Sequence, residues 1–226
     1  MSRISHAIPR GCSYRISRAI ETALRLNSGP TSTTFDKKAP NSASDGFHTT
    51  TTAPYGGGDT YAFDNSATTL KIGYQAVDNM AFQDGYTWIA FVRIADLTIP
   101  QGATITTAKI HFHSPTSSSA ASKTLVIDAE DSDNTSSPSV ESNIRSATKT
   151  TATVNWTLPS TFGSTLDTPE IKTIVQEVVD RSGWASGNAM TFFFHTPATS
   201  ADWNLTARTY DQAAGQAPHI EITYSS

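Results

Sequence analysis

From Thr60 onward the chain is cut into short runs rich in β-branched and aromatic residues, each closed by Gly, Pro, Asn, Asp or Ser, and this repeated interruption is what most limits its fold. Strands are expected near Thr60–Phe63, Thr69–Gln75, Thr87–Ile94, Ile105–His113, Lys123–Glu130, Thr150–Trp156, Ala189–Thr196, Leu205–Tyr210 and His219–Tyr224. In Ile105–His113 the alternation is plain: Ala108, Ile110 and Phe112 point one way, Lys109, His111 and His113 the other. One face of such a strand is core and the other is not. Many short strands of this kind predict a mainly β fold, an antiparallel β-sandwich of jelly-roll type. The exception is DTPEIKTIVQEVVDRSGW, in which Ile171, Ile174, Val175, Val178 and Val179 form a helical stripe. Thr168 is placed to cap it, Pro169 suits its first turn, and Gly183 is placed to end it. One amphipathic helix should therefore lie across the sandwich.

The start of the chain is different. Residues 1–28 hold five arginines against Glu21 alone, a charge of +4 that leaves −8 for the remainder of a chain of net charge −4. Ile16, Ile20, Ala23 and Leu24 recur at helical spacing with Arg15, Arg18, Glu21 and Arg25 elsewhere on the wheel, so a short basic amphipathic helix is expected. An Arg-rich, acid-poor start also fits an organelle transit peptide, whereas a secretory signal is not expected, because no continuous apolar stretch follows Met1. From Asn27 to Gly58 the chain shows no apolar periodicity and reads as a linker or extended arm, in which Phe35 and Phe47 are scattered anchors. The expected organisation is an N-terminal basic helix and arm over 1–58, then a sandwich domain over 59–226.

Composition narrows the classes further. A single Cys12 excludes an intramolecular disulfide framework and a multi-thiolate zinc site. No run approaches 18 apolar residues, so no membrane-spanning helix is expected. The negative net charge argues against a nucleic-acid partner.

The words DTYAFDNSATTLKIGYQ, WIAFVRIADLTIPQGATITTAKIHFH, TATVNWTLPS and TPEIKTIVQEVVDRSGWASGNAMTFFF, ending in APHIEITY, follow one another from about Asp59 to Tyr224. In order and spacing this resembles the carbohydrate-binding-type β-sandwich modules of the DNRLRE, or disaggregatase-related, family. Arg93 matches the arginine of the family's R-F-D-L strand, Pro100–Ile105 its P-x-G-A-x-I turn, and Trp156 and Trp184 its tryptophans. The resemblance implies an architectural role for each. The chain departs from the pattern where VDNMAFQDGYTW stretches the strand before Ile89, and its first 55 residues have no counterpart. Members of the family occur mostly as non-catalytic appendages of secreted enzymes, cell-surface proteins and phage virion proteins.

Few residues nominate chemistry. His111-x-His113 places two imidazoles on one strand face about 7 Å apart, a weak candidate metal pair that needs a third ligand; surface histidines on a solvated face are the simpler reading. In DAEDSDNTSS, Asp131 and Asp133 follow Asp128 and Glu130 and form a weak calcium candidate without the glycine turn or bidentate glutamate of an EF-hand loop. No spacing nominates a pair of catalytic carboxylates, no G-x-S-x-G elbow occurs, and Gly56-Gly57-Gly58 lacks the lysine of a phosphate loop. The sequence points to no enzyme activity and no cofactor. Tyr74, Tyr86, Trp88 and Trp203 fall in or beside segments where the family pattern is disturbed, and are candidates for stacking on sugar rings.

The function expected is that of a non-enzymatic phage virion structural protein, a sandwich displayed as a capsid decoration or tail component. An arm bearing Arg3, Arg10, Arg15, Ile16, Arg18, Ile20, Leu24, Arg25, Phe35 and Phe47 would hold it to other virion proteins, within a homo-oligomer. The alternative is a carbohydrate-binding adhesion module for polysaccharide, located extracellularly or on a cell surface.

Overall fold

The structure, a computed structural model, describes residues 31–52, 59–79, 82–113, 123–159, 163–196 and 203–226. The chain divides into two units, Met1–Ser32 and Thr33–Ser226. The eight arm residues from Arg3 to Arg25 lie outside the described residues. Among those described, no helix is long and apolar enough to cross a membrane.

Among the described residues there are twelve strands: β1 (Ser32–Lys38), β2 (Asp45–Thr52), β3 (Thr60–Asp64), β4 (Thr69–Asn79), β5 (Phe82–Leu97), β6 (Thr104–His113), β7 (Thr124–Ala129), β8 (Val154–Thr157), β9 (Thr165–Asp167), β10 (Asn188–His195), β11 (Trp203–Arg208) and β12 (His219–Ser225). Two α-helices join them among the described residues, the single turn α1 (Ser142–Arg145) and α2 (Lys172–Val179), with short 3-10 turns at Ser42–Ser44 and Ala214–Gln216. The strands form a β-sandwich. One sheet runs β1-β12-β6-β9, the other β11-β4-β5-β10-β7-β8, with β2 bridging β3 and β5. Strand β5 is the hub of the larger sheet, pairing with β4, β2 and β10 in antiparallel register.

The alternation expected of β6 holds. Ile105, Ala108, Ile110 and Phe112 face the interior, with a register shift opposite Thr223/Tyr224 that accommodates one extra residue on β6. They meet Leu70, Ile72, Val92, Ile94, Leu125, Ile127, Phe192 and Phe194 of the other sheet. The centre is aromatic: Phe112 packs edge-on to Phe194 at 5.2 Å between ring centroids and stacks on Trp156 at 6.0 Å. Strand β10 is buried on both faces. Its outward Phe193 joins Phe91 and Ile144 in a second, smaller core, capped by α1 and flanked by Phe63, Ile89 and Ala147. Gly73, at φ +137°, lies where a Cβ would come within 2.3 Å of the Trp203 carbonyl oxygen, so β4 and β11 pair this closely only with glycine there.

Helix α2 buries Ile174, Val175, Val178 and Val179, as its stripe predicted, and it also seals an open edge of β6. Strand β9 pairs only with residues 111–113 of β6, which leaves the hydrogen-bonding groups of 103–110 to be met otherwise. Thr168 Oγ1 accepts from the Ile110 N–H at 3.0 Å while the Thr168 N–H donates to Ile110 O at 2.9 Å. Glu170 Oε1 accepts from the Ala108 N–H, Gln176 Oε1 accepts from the Ile105 N–H at 2.8 Å, and Gln176 Nε2 donates to Ala103 O at 3.0 Å. Thr168 is thus not the helix cap: Ile171 precedes the first helical residue, and the Thr168 hydroxyl serves the sheet. Nor does Gly183 end the helix. It lies in the turn beyond Asp180, where a Cβ would strike the Asp133 carboxylate at 2.0 Å.

The arm assignment is corrected at its distal half. Residues 32–38 and 45–52 are sandwich strands, not linker. Thr34 Oγ1 bonds Thr223 Oγ1 at 3.1 Å, the Ala39 N–H donates to Pro218 O at 2.8 Å, and β2 pairs over eight positions with β5. Phe35 packs against the main core and Phe47 is buried. The sandwich therefore begins near Thr33 rather than Asp59. β2 escapes sequence reading because its buried stretch, Asp45-Gly46-Phe47-His48, is mostly polar and glycine, which resembles turn chemistry.

Candidate functional site

Where β7 ends, residues 130–143 run across the face of the larger sheet turned away from the interior and form a polar recess of about 360 Å³. Glu130, Ser132, Asn134, Ser136, Ser137, Pro138, Ser139 and Asn143 line it. Between Glu130 and the start of α1 the segment lacks regular structure but is pinned at many points. The Glu130 N–H donates to Thr191 O at 2.9 Å, the Ala189 N–H to Asn134 Oδ1 at 3.0 Å, and Asn188 Nδ2 to Asp133 O at 2.9 Å. The buried hydroxyls of Thr191 and Thr135 bond at 2.8 Å. Arg93 Nε donates to Thr135 O at 3.0 Å and so ties β5 to this segment. On the far side Asn143 Oδ1 accepts the Ser139 and Val140 N–H groups and closes the rim.

Glu130 is the charged group of the lining. Partial burial pushes its carboxyl above the ordinary glutamate value, while the nearby Arg93 and Lys149 charges pull it back. Burial in turn lowers Arg93. The recess therefore presents hydroxyls, carboxamides and one carboxylate countered by two cations, a lining suited to hydrogen-bonding a polyhydroxylated ligand. The DSDNTSSPS run signals a hydroxyl-rich loop, but nothing in its spacing shows that it folds back into a cavity.

Two of the four aromatic candidates are buried. Trp88 is 9% exposed and Trp203 5%, and Trp203 belongs to the main core. Tyr86 stacks on Trp88 at 6.2 Å, and Lys71 Nζ stands 5.9 Å from the Trp88 ring centre. Tyr74 lies opposite Trp203 in the β4–β11 ladder, and both tyrosines are half-buried. The two indoles are occupied by packing, so neither offers a ring face to a sugar.

The acidic loop is neutralised from within the protein. Arg181 Nε donates to Asp133 Oδ1 at 2.6 Å, and its Nη1 donates to Asp131 Oδ1. These bonds hold Arg181 above its ordinary pKa, and the guanidinium takes the place expected for calcium between Asp131 and Asp133.

His111 and His113 do meet a third imidazole. His219 of β12 stacks on His111 at 4.7 Å and lies 6.4 Å from His113. The His111 and His219 planes are 22° apart, so the rings overlap face to face instead of directing their nitrogens at a common point, and His111 Nδ1 is bonded to Asp167 Oδ1 at 2.8 Å. Among the described residues no group of three or more His, Cys, Asp or Glu side chains is arranged to hold a metal ion. Burial first, then the neighbouring His111, Lys38 and His113, lower the His219 pKa, and Asp36 opposes them.

Two further carboxyls, Asp128 and Asp45, are buried. Asp128 Oδ2 on β7 accepts from His195 Nε2 of β10 at 2.7 Å, and Asp45 opens β2 with its carboxyl in the interior. Compared with models of known families and with curated proteins, the chain finds no match.

Proposed function

We propose that the protein is a non-enzymatic structural module, a β-sandwich displayed on a phage particle and held to other virion proteins by its N-terminal unit. The observation that carries this reading is the division of the chain at Ser32/Thr33 into a short unit of charge +4 and a large one of charge −8. Opposite charge on separate units suits them to different partners, the basic one to an acidic docking surface and the acidic one to solvent. The DNRLRE-like order of words supports the same reading. The test is to fractionate particles from the source that encodes the chain, and to ask by peptide mass spectrometry whether it sediments with them. A chain lacking residues 1–32 should stay in the supernatant; its retention on particles would refute the anchor. Light scattering on the full chain tests the expected homo-oligomer.

The second reading, adhesion to polysaccharide, is favoured by the recess at Glu130 rather than by the tryptophans. A glycan array probed with the wild type and with Glu130→Ala and Asn143→Ala tests it. Glycan binding that both variants retain would remove the recess from the argument.

A further inference from the structure

Segments 41–45 and 209–217 face one another where β2 begins and β11 ends, and they hold an unusual pair of carboxyls. Asp45 is 1% exposed. Its Oδ2 accepts the Tyr210 N–H at 2.9 Å, but its Oδ1, equally buried, has no hydrogen-bond partner. A carboxylate oxygen buried without a donor is costly, and native interiors rarely leave one so. The next residue after Tyr210 is Asp211, at the surface, whose Oδ1 accepts from Ser42 Oγ at 2.7 Å. A further buried oxygen on the same segment, Gln216 Oε1, is also without a partner. The nearby cation, Lys38, donates to Gly215 O.

We infer that Asp45 and Asp211 are the carboxylate ligands of a divalent-cation site, calcium by preference, completed by neutral oxygens of the 41–45 and 209–217 segments. The donors are all hard oxygens, which suit calcium over the softer transition metals. A cation between the two carboxylates would offset both the burial and the repulsion. This site is separate from the Asp131/Asp133 loop, where Arg181 already supplies the positive charge.

The experiment is a titration of the full chain, first dialysed against EDTA, with calcium chloride and in parallel with magnesium chloride, read by calorimetry and by thermal melting. Calcium should release measurable heat and raise the melting temperature by several degrees, with magnesium weaker. Asp45→Asn, which still accepts the Tyr210 N–H, and Asp211→Asn, at the surface, should each weaken calcium binding tenfold or more. Should Asp45→Asn fail to fold, Asp211→Asn carries the test alone. No heat and no melting shift with calcium up to about 10 mM, roughly tenfold above the weak end of the range for extracellular modules, would overturn the assignment. So would a calcium response that survives both substitutions.

Discussion

Replacing Thr168 with valine isolates the edge-sealing role of the segment before α2. The two side chains have nearly the same shape, and Thr168 is buried, so the change exchanges one oxygen for a methyl with little repacking. What is lost is the acceptor for the Ile110 N–H, at 3.0 Å in a buried position. Leaving a buried donor unsatisfied costs about 1–3 kcal/mol, and the added methyl offsets little of it, so about 2 kcal/mol is expected. For a chain of this size each kcal/mol moves the melting midpoint by about 2–4 °C, which predicts a fall of roughly 4–8 °C. Circular dichroism melts measure it. Hydrogen exchange at the Ile110 amide locates it, because that proton should exchange faster while those of β10 change only with global stability. Thr168→Ser is the control, since it keeps the oxygen. A valine variant melting within about 1 °C of wild type, or a serine variant as unstable as the valine one, would refute the hydroxyl's part in closing the edge.

Other substitutions test the rest of the framework. Val175→Asp places an unpaired charge among fully buried apolar side chains and should unfold the domain; a cooperative wild-type-like melt would show that the helix stripe does not pack as described. Phe193→Ala empties the small outer core and should cost about 3–5 kcal/mol, with hydrogen exchange rising first around α1 and residues 130–147. Arg181→Ala removes both ion pairs to Asp131 and Asp133, and because all three side chains are partly exposed the loss should be only about 1 kcal/mol in denaturant melts. His219, whose folded pKa lies below its ordinary value, contributes stability that is present above about pH 6.5 and lost as the pH falls from there. Burial first, then Asp36 and Lys38 from β1 and His111 and His113 from β6, set that balance. His219→Gln should flatten the decline in melting temperature between pH 7 and 5, and an unchanged slope would remove the ring cluster as its source.

The strands that sequence reading recovers are those whose period-2 pattern is set by one buried face, as in β6 and β12. Their neighbours on either side differ in polarity, and burial alone sorts them. β10 was also recoverable, but its run Met190–Phe194, apolar except for Thr191, does not reveal that the two faces belong to different cores. β1 and β2 fail the same test for a physical reason. β1 is largely exposed, so nothing forces alternation, and β2 hides Asp45 and His48 where an apolar residue would have announced a strand. Four consecutive threonines in β2 favour extended backbone through their branched Cβ, but in a Ser/Thr-rich chain that preference is indistinguishable from a polar linker.

The recess at Glu130 was invisible for a different reason: it is made by contacts between residues far apart in the chain. Asn134, Thr135 and Asp133 each reach residues of β10 or its preceding turn about 55 positions away, and Arg93 reaches Thr135 from 42 positions before it. A loop's composition can say that it is hydrophilic, but only such long-range bonds decide whether it lies flat or folds into a wall. The tryptophans show the converse. Trp88 and Trp203 looked like ligand platforms because they stand beside loops, but indoles have enough apolar area that a sandwich with room at its rim buries them. A large aromatic residue therefore argues for core before ligand wherever its strand has a covered face. The hydroxyls and carboxamides left at the surface are then the groups open to hydrogen bonding, and several of them line the recess at Glu130.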